Sequence, residues 1–211
     1  MTIDNLHGFI TEVARRDRLL RISHPVSVVH EITEIADRCV KIAGGGPPLL
    51  CERPVLDSGV TSDIPVVINA FGSVNRMSLA LGVERLDDVG ARIEALIKLR
   101  VPEGQREKLE LLPRIAEIAK YPPRSVSRGA PCQGVIKQGA DIDLMSLPIN
   151  TCWPGDGGPY LTLPQVVTRD PQSGVRNVGT YRVQVHAKVA GDALAKAQSR
   201  CRSLACHGSA R

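Results

Sequence analysis

The sequence predicts an α+β protein: an N-terminal α/β domain over residues 1–120, a linker over 121–134, the beginning of a mostly antiparallel β domain over 135–190, and a basic tail over 191–211. Three observations carry that reading. Apolar stripes at helical spacing alternate with short apolar runs through the first 120 residues, the pattern of helices packed on a sheet. A proline-rich break, Tyr121-Pro-Pro-Arg-Ser-Val-Ser-Arg-Gly-Ala-Pro131, then interrupts the chain. Beyond it the texture becomes strand-like, with a hairpin signal at Asp170-Pro-Gln-Ser-Gly174.

Each element has a local reason. Leu6, Phe9, Ile10 and Val13 recur at helical spacing behind Asp4 or Asn5, either of which can cap the first turn. Leu19 to Ile22 reads as a short strand. Ile32, Ile35, Ala36, Cys39 and Val40 form the apolar stripe of a second helix starting near Glu31, which Gly44-Gly45-Gly46 terminates. Leu49-Leu50 and Ile64 to Asn69 are strand-like, the latter continuous enough to suggest burial on both faces. Further helices are expected at Val74–Leu81, Leu86–Leu99 and Glu103–Lys120. Past the linker, Gln133 to Lys137, Leu161 to Thr168 and Val175 to His186 are the expected strands.

Composition narrows the class. Apolar residues make up 43% of the chain and aromatic ones 3%, so the core must be aliphatic. No apolar run approaches the roughly 20 residues of a bilayer span. Arg15, Arg16, Asp17 and Arg18 break up any secretory signal, so no integral membrane segment and a cytoplasmic location are expected. The net charge of +5 does not point to nucleic acid: the tail over 191–211 holds +3 of it and the preceding 190 residues only +2. The six cysteines, Cys39, Cys51, Cys132, Cys152, Cys201 and Cys206, form no C-x-x-C pair and are expected to be reduced thiols.

The densest chemistry lies between Asn150 and Arg182. An Asn177 amide oxygen suits Mg²⁺ or Mn²⁺, which favour oxygen donors, and Arg182 offers a permanently charged fork for a carboxylate. The two lie five residues apart, so an unbroken strand would point them to opposite faces. A bulge at Gly179 would re-aim one of them. Trp153-Pro-Gly-Asp-Gly-Gly-Pro-Tyr160 reads as a loop of tight turns that locks the entry to the next strand, or as a pocket wall. The turn Asn69-Ala-Phe-Gly72 reads as packing, with a helix-start anion site as the alternative. Glu31, Glu34 and Asp37 read as solvated charges, and His7, His24 and His30 receive no role.

Glu31-Ile-Thr-Glu-Ile-Ala-Asp-Arg38, Ile64-Pro-Val-Val-Ile-Asn-Ala-Phe-Gly72, Leu79-Ala-Leu-Gly82, Trp153-Pro-Gly-Asp-Gly-Gly-Pro-Tyr160 and Arg176-Asn-Val-Gly-Thr-Tyr-Arg182 together resemble the UbiD-type carboxy-lyases. The resemblance runs from about Leu6 to about Val185. It implies an N-terminal α/β domain, a central split β-barrel that binds prenylated FMN, and a further C-terminal domain. It implies a non-oxidative decarboxylase of an aromatic or unsaturated carboxylic acid, of which a polyprenyl-hydroxybenzoate in ubiquinone biosynthesis is the most familiar. In that family the modified flavin accepts electron density from the substrate, CO₂ leaves and an acidic residue returns a proton. By the same resemblance Asn177 matches a ligand of the divalent metal (Mn or Mg). Thr180, Tyr181 and Arg182 match cofactor contacts, and Arg182 also matches the catalytic arginine of a Glu-Arg-Glu network. Intact members are homo-oligomers.

After Ala195 the resemblance stops. The run from Lys196 to Arg211 is basic and holds two cysteines, and members of the family are more than twice as long. The expectation is therefore a truncated or frameshifted copy, with the split β-barrel flavin-binding domain only begun. The purified chain is expected to bind no flavin by itself. A non-catalytic flavin-binding or interaction fragment is the alternative.

Overall fold

The computed structural model describes residues 3, 5–97, 129–130, 133–188 and 190–193. The expected helix over 103–120, most of the linker and the tail from 194 onward lie outside them. Helices and strands mix as expected for an α+β chain, in two compact units: Ile3–Ser73 with Ile142–Arg211, and Met1–Thr2 with Val74–Asp141.

In the first unit, α1 (Leu6–Arg16) is capped by Asn5, whose Oδ1 accepts from Gly8 N at 2.8 Å. It buries Phe9 and Val13, and Phe9 stacks on Phe71 with centroids 5.3 Å apart. Glu12 lies on the same helix with its side chain almost wholly covered, because the Arg15 and Arg16 guanidiniums close over it. Those two partners pull its carboxyl from the ordinary 4.5 down to about 2.

β1 (Leu20–Ile22) runs parallel to β3 (Leu49–Cys51), and β5 (Val66–Ile68) lies antiparallel on the far side of β3. Leu49, Leu50 and Cys51 are all buried, as befits the central strand. Expected burial on both faces of Ile64–Asn69 is not what the structure shows. β5 pairs on one side with β3, its three residues are half-buried, and Ile64 is exposed. A second parallel pair joins β2 (Val26–Ser27) to β4 (Pro54–Val55). The α2 helix (Glu31–Val40) lays Ile32 on Val26, Val28 and Cys51 to form the core.

The charges on α2 do more than face solvent. Glu31 accepts from Ser27 N at 2.7 Å, Glu34 pairs with Arg38 at 2.8 Å, and Asp37 pairs with Lys41. After α2, Gly45 (φ 88°) sits so close to the turn after β5 that an added Cβ would lie 1.6 Å from the Gly72 carbonyl oxygen. Asn69, itself at φ 57°, fastens the same contact by donating from Nδ2 to the Gly45 and Pro47 carbonyls at 2.8 and 2.9 Å. The Asn69–Gly72 turn is thus used for packing.

The remainder of this unit begins with a 3₁₀ turn at Leu144–Ser146, capped by Asp143. Thr151 then bridges in parallel to Val29: its N–H donates to Val28 O at 3.1 Å and its carbonyl accepts from His30 N at 2.9 Å. β6 (Tyr160–Leu161), β9 (Val183–Ala187) and β10 (Ala190–Ala193) form one antiparallel sheet in the order β10-β9-β6. β7 (Gln165–Arg169) and β8 (Arg176–Thr180) form a separate hairpin. The expected strand over 161–168 is split at Thr162–Pro164, where proline cannot continue the ladder, and that over 175–186 is split at Tyr181–Arg182. β10 runs three residues into the segment expected to be tail. Among the described residues these strands do not close into a barrel.

In the second unit, α3 (Val74–Leu81) and α4 (Leu86–Ile97) match the expected helices as far as residue 97. Gln133 to Lys137 is not a strand; Val135 and Ile136 are exposed there and the segment pairs with no neighbour among the described residues.

Two outcomes follow. Gly45→Ala should destabilise the protein by at least about 2 kcal/mol, because both the positive φ and the Gly72 carbonyl oppose a side chain; chemical denaturation measures it. The Glu12 pairing stabilises fully above pH 4.5 and is lost as pH falls toward about 2. In thermal melts between those limits wild type should lose more stability than Glu12→Gln.

Candidate functional site

The turn joining β7 to β8 is built by Asp170, whose carboxylate accepts from Gln172 N (2.7 Å) and Ser173 N (3.1 Å). Those backbone donors hold its carboxyl below the usual range. Gly174 at φ 70° closes the turn, and its N–H donates to Asp170 O at 2.9 Å. From there the ladder is regular: Arg169 faces Arg176, Thr168 faces Asn177, Val167 faces Val178, Val166 faces Gly179 and Gln165 faces Thr180. The expected bulge at Gly179 is absent. The chain leaves the ladder two residues later instead, at Tyr181–Arg182.

Gly179 has a different use. The Tyr181 ring folds back over it, so closely that a Cβ there would lie 2.6 Å from the ring edge. The Tyr181 hydroxyl thereby reaches Asn177, 3.5 Å from its Nδ2, at the outer limit of a hydrogen bond. Alternation explains the grouping, since Asn177, Gly179 and Tyr181 are spaced by two. Asn177 is exposed and Tyr181 half-buried. Thr180 is exposed, and its Oγ1 accepts from Gln165 Nε2 at 3.1 Å across the ladder.

Arg182 goes elsewhere. Its guanidinium carbon lies 4.5 Å from the centroid of the Tyr160 ring, a cation–π geometry. Tyr160 is buried, and its hydroxyl donates to Gln184 Oε1 at 3.0 Å. Gln184 faces Tyr160 directly in the β6–β9 register and packs its amide nitrogen against Gly157, 2.6 Å from where a Cβ would sit. The structure therefore brings Asn177 to Tyr181 and Arg182 to Tyr160. It gives no contact between Asn177 and Arg182 among the described residues. Tyr160 and Gln184 were not assigned this role from sequence. Their signal was available in the two-residue spacing of Arg182 and Gln184 and in Tyr160 opening the facing strand.

The donor set is incomplete for a metal. Mg²⁺ and Mn²⁺ are held by about six oxygens, whereas Asn177 supplies one, and no cluster of three or more His, Cys, Asp or Glu side chains is present among the described residues. One apolar hollow, between Val28, Leu56, Leu144, Ile149 and Pro159, measures about 30 Å³, against roughly 300 Å³ for a small cofactor pocket. No described helix is long and apolar enough to cross a membrane.

Comparison with known proteins defines the class. Residues 10–96 match the 3-octaprenyl-4-hydroxybenzoate carboxy-lyase N-terminal domain, and residues 124–204 match the Rift-related domain of the same carboxy-lyase. An uncharacterized protein of Aquifex aeolicus (strain VF5) is 44% identical over 181 residues, which is 86% of this chain and 36% of that one. The UbiD-class enzyme HmfF from Pelotomaculum thermopropionicum, solved in complex with FMN, superposes with a TM-score of 0.67 at 28% identity over 90% of this chain and 36% of its own. An evolved dimeric form of HmfF, in complex with prFMN, gives 0.64 at 29% identity over 87% of this chain and 36% of its own. Vanillic acid decarboxylase of Sedimentibacter hydroxybenzoicus shares the fold, with a TM-score of 0.67 at 24% identity over 92% of this chain and 39% of its own. The chain belongs to the UbiD family, and it spans little more than a third of the length of each of these relatives.

Gly179→Ala tests the Tyr181 placement. The added methyl should swing the ring off β8 and away from Asn177. Because the ring is the movable end of a side chain, the stability cost should stay below about 1 kcal/mol. The ring resonances of Tyr181 should lose their contacts to Asn177 in NMR spectra.

Proposed function

We propose that this chain supplies the N-terminal domain and the first part of the cofactor domain of a UbiD-type non-oxidative decarboxylase. Its substrate is an aromatic or unsaturated carboxylic acid, with a polyprenyl-hydroxybenzoate as the first acid to test, and its cofactor is prenylated FMN. The domain division at residues 120 and 134 is part of the same reading. So are assembly into a homo-oligomer and ligation of Mn²⁺ or Mg²⁺ by Asn177. The Thr180–Arg182 stretch contributes contacts to the cofactor, and Arg182 holds the carboxylate to be removed.

One observation carries the reading. Arg182 presents an exposed guanidinium on a buried aromatic face, and no carboxylate pairs with it among the described residues. Such a cation is fixed in place yet free to take an anion. It directly follows the Thr180–Tyr181 pair, inside the matched Rift-related segment. Arg rather than Lys suits the task, because a planar fork meets both oxygens of a carboxylate.

The test combines the full chain with prenylated FMN, Mn²⁺ and the separately produced C-terminal portion of the Aquifex relative, and measures CO₂ release. The chain alone should retain no flavin. The mixture should retain flavin and release CO₂ from an aromatic acid, and Arg182→Ala should cut that release by about a hundredfold. A flavin-saturated mixture inert toward every aromatic acid tried, or indifferent to Arg182→Ala, would sink the reading.

A further inference from the structure

We infer that Tyr160 is a positioning residue for Arg182, and that the Trp153–Tyr160 loop exists to deliver its ring. The inference rests on the proposed role of Arg182 toward a small carboxylate and deepens it. An exposed arginine on a strand end ordinarily samples many rotamers, and an anion that binds it must first order it. Here the guanidinium is seated 4.5 Å above a ring that is itself 8% exposed. The ring cannot turn freely, because its hydroxyl is held by Gln184 at 3.0 Å.

Gln184 is fixed in turn. It lies in β9, and its amide nitrogen occupies the space a side chain at Gly157 would fill. Backbone bonds close the arrangement: Val185 N donates to Pro159 O at 2.9 Å and Tyr160 N donates to Asn150 O at 3.1 Å. The Pro159–Tyr160 peptide is thus held on both its edges. Trp153 marks the other end of the loop, where its backbone N–H donates to Asp156 Oδ2 at 3.1 Å and half the residue stays exposed. The ring shields one face of the guanidinium from water and leaves its rim of N–H donors for the ligand. The tyrosine hydroxyl is already committed to an amide, so its part is to hold the ring plane while the ring holds the cation.

The experiment uses the full chain labelled with ¹⁵N, and benzoate as the carboxylate probe. A ring face below Arg182 moves its Nε–H proton upfield of arginines with no aromatic neighbour. That shift should be present in wild type, reduced in Tyr160→Phe, which keeps the ring but loses the hydroxyl's hold, and lost in Tyr160→Leu with the backbone amide spectrum otherwise intact. Benzoate should bind about two- to fivefold more weakly to Tyr160→Leu than to wild type, with Tyr160→Phe falling between the two. Should Tyr160→Leu fail to fold, Gly157→Ala decides: it displaces Gln184 while leaving the ring in the chain, and the upfield shift should shrink. An unshifted Arg182 proton in wild type, or a shift indifferent to both Tyr160→Leu and Gly157→Ala, overturns the inference. A wild-type shift that responds as expected while benzoate does not bind supports the positioning role and removes the carboxylate role from Arg182.

Discussion

The backbone bridge between Val29 and Thr151 is the constraint on which the placement of the site depends. Two hydrogen bonds, Thr151 N to Val28 O and His30 N to Thr151 O, tie segments more than a hundred residues apart. They accompany a His30 at φ 65°, ψ −33°, with Glu31 N bonded to Val29 O at 2.8 Å across it, a γ-turn of the strained hand. A non-glycine residue so placed costs about 1–3 kcal/mol. Burial of Ile32 and Val28 in the same core, on either side of His30, offsets that cost. From the bridge, position is handed on by single bonds: Asn150 O takes Tyr160 N, Pro159 O takes Val185 N, and Tyr160 then sits under Arg182. The start of α2 thereby sets where a guanidinium stands in the second half of the chain.

This explains which parts were legible in the sequence. The α1, α2, α3 and α4 helices were readable because amphipathic spacing is a local property, and Asn5 and Gly44–Gly46 mark ends by their own chemistry. Burial of Ile64–Asn69 was misjudged because an apolar run cannot say how many neighbours a strand has; among the described residues β3 took the centre and left β5 with one partner. His30 carried no sequence signal at all. Its strain is imposed by the non-local bridge, and histidine has no special preference for the γ-turn.

The candidate site was half readable for a similar reason. Residue types within 176–182 pointed to anion and cation chemistry, and resemblance gave them roles. Geometry then separated Asn177 from Arg182 without a bulge, because the ladder ends before Arg182 and a new strand begins after it. Opposite faces of one strand therefore ceased to be the relevant frame. Gly179, expected to bend the strand, instead leaves room for the Tyr181 ring. Both outcomes follow from the missing Cβ, and the sequence holds nothing that chooses between them.

The β7–β8 hairpin would couple the proposed binding to folding. A two-stranded ribbon is marginal in water, and this one is exposed on both faces, with Val167 opposite Val178 in solvent. At its tip Arg169 and Arg176 stand directly opposed, a like-charge pairing that weakens the ladder. Asp170 lies beside them, but its carboxylate is engaged by the backbone of the turn rather than by either guanidinium. An anion or metal–phosphate group meeting Asn177 and Thr180 would therefore meet a ribbon of little stability of its own. Part of any binding free energy there would go into holding that ribbon, so the affinity proposed at Asn177 would depend on whatever packs against Val167 and Val178 as much as on the amide oxygen. Arg182 escapes this coupling, because its support comes from β6 and β9 and through them from the α2 core. The guanidinium is supported where the Asn177 amide is not, and that asymmetry would suit the proposed role of Arg182 in orienting a carboxylate.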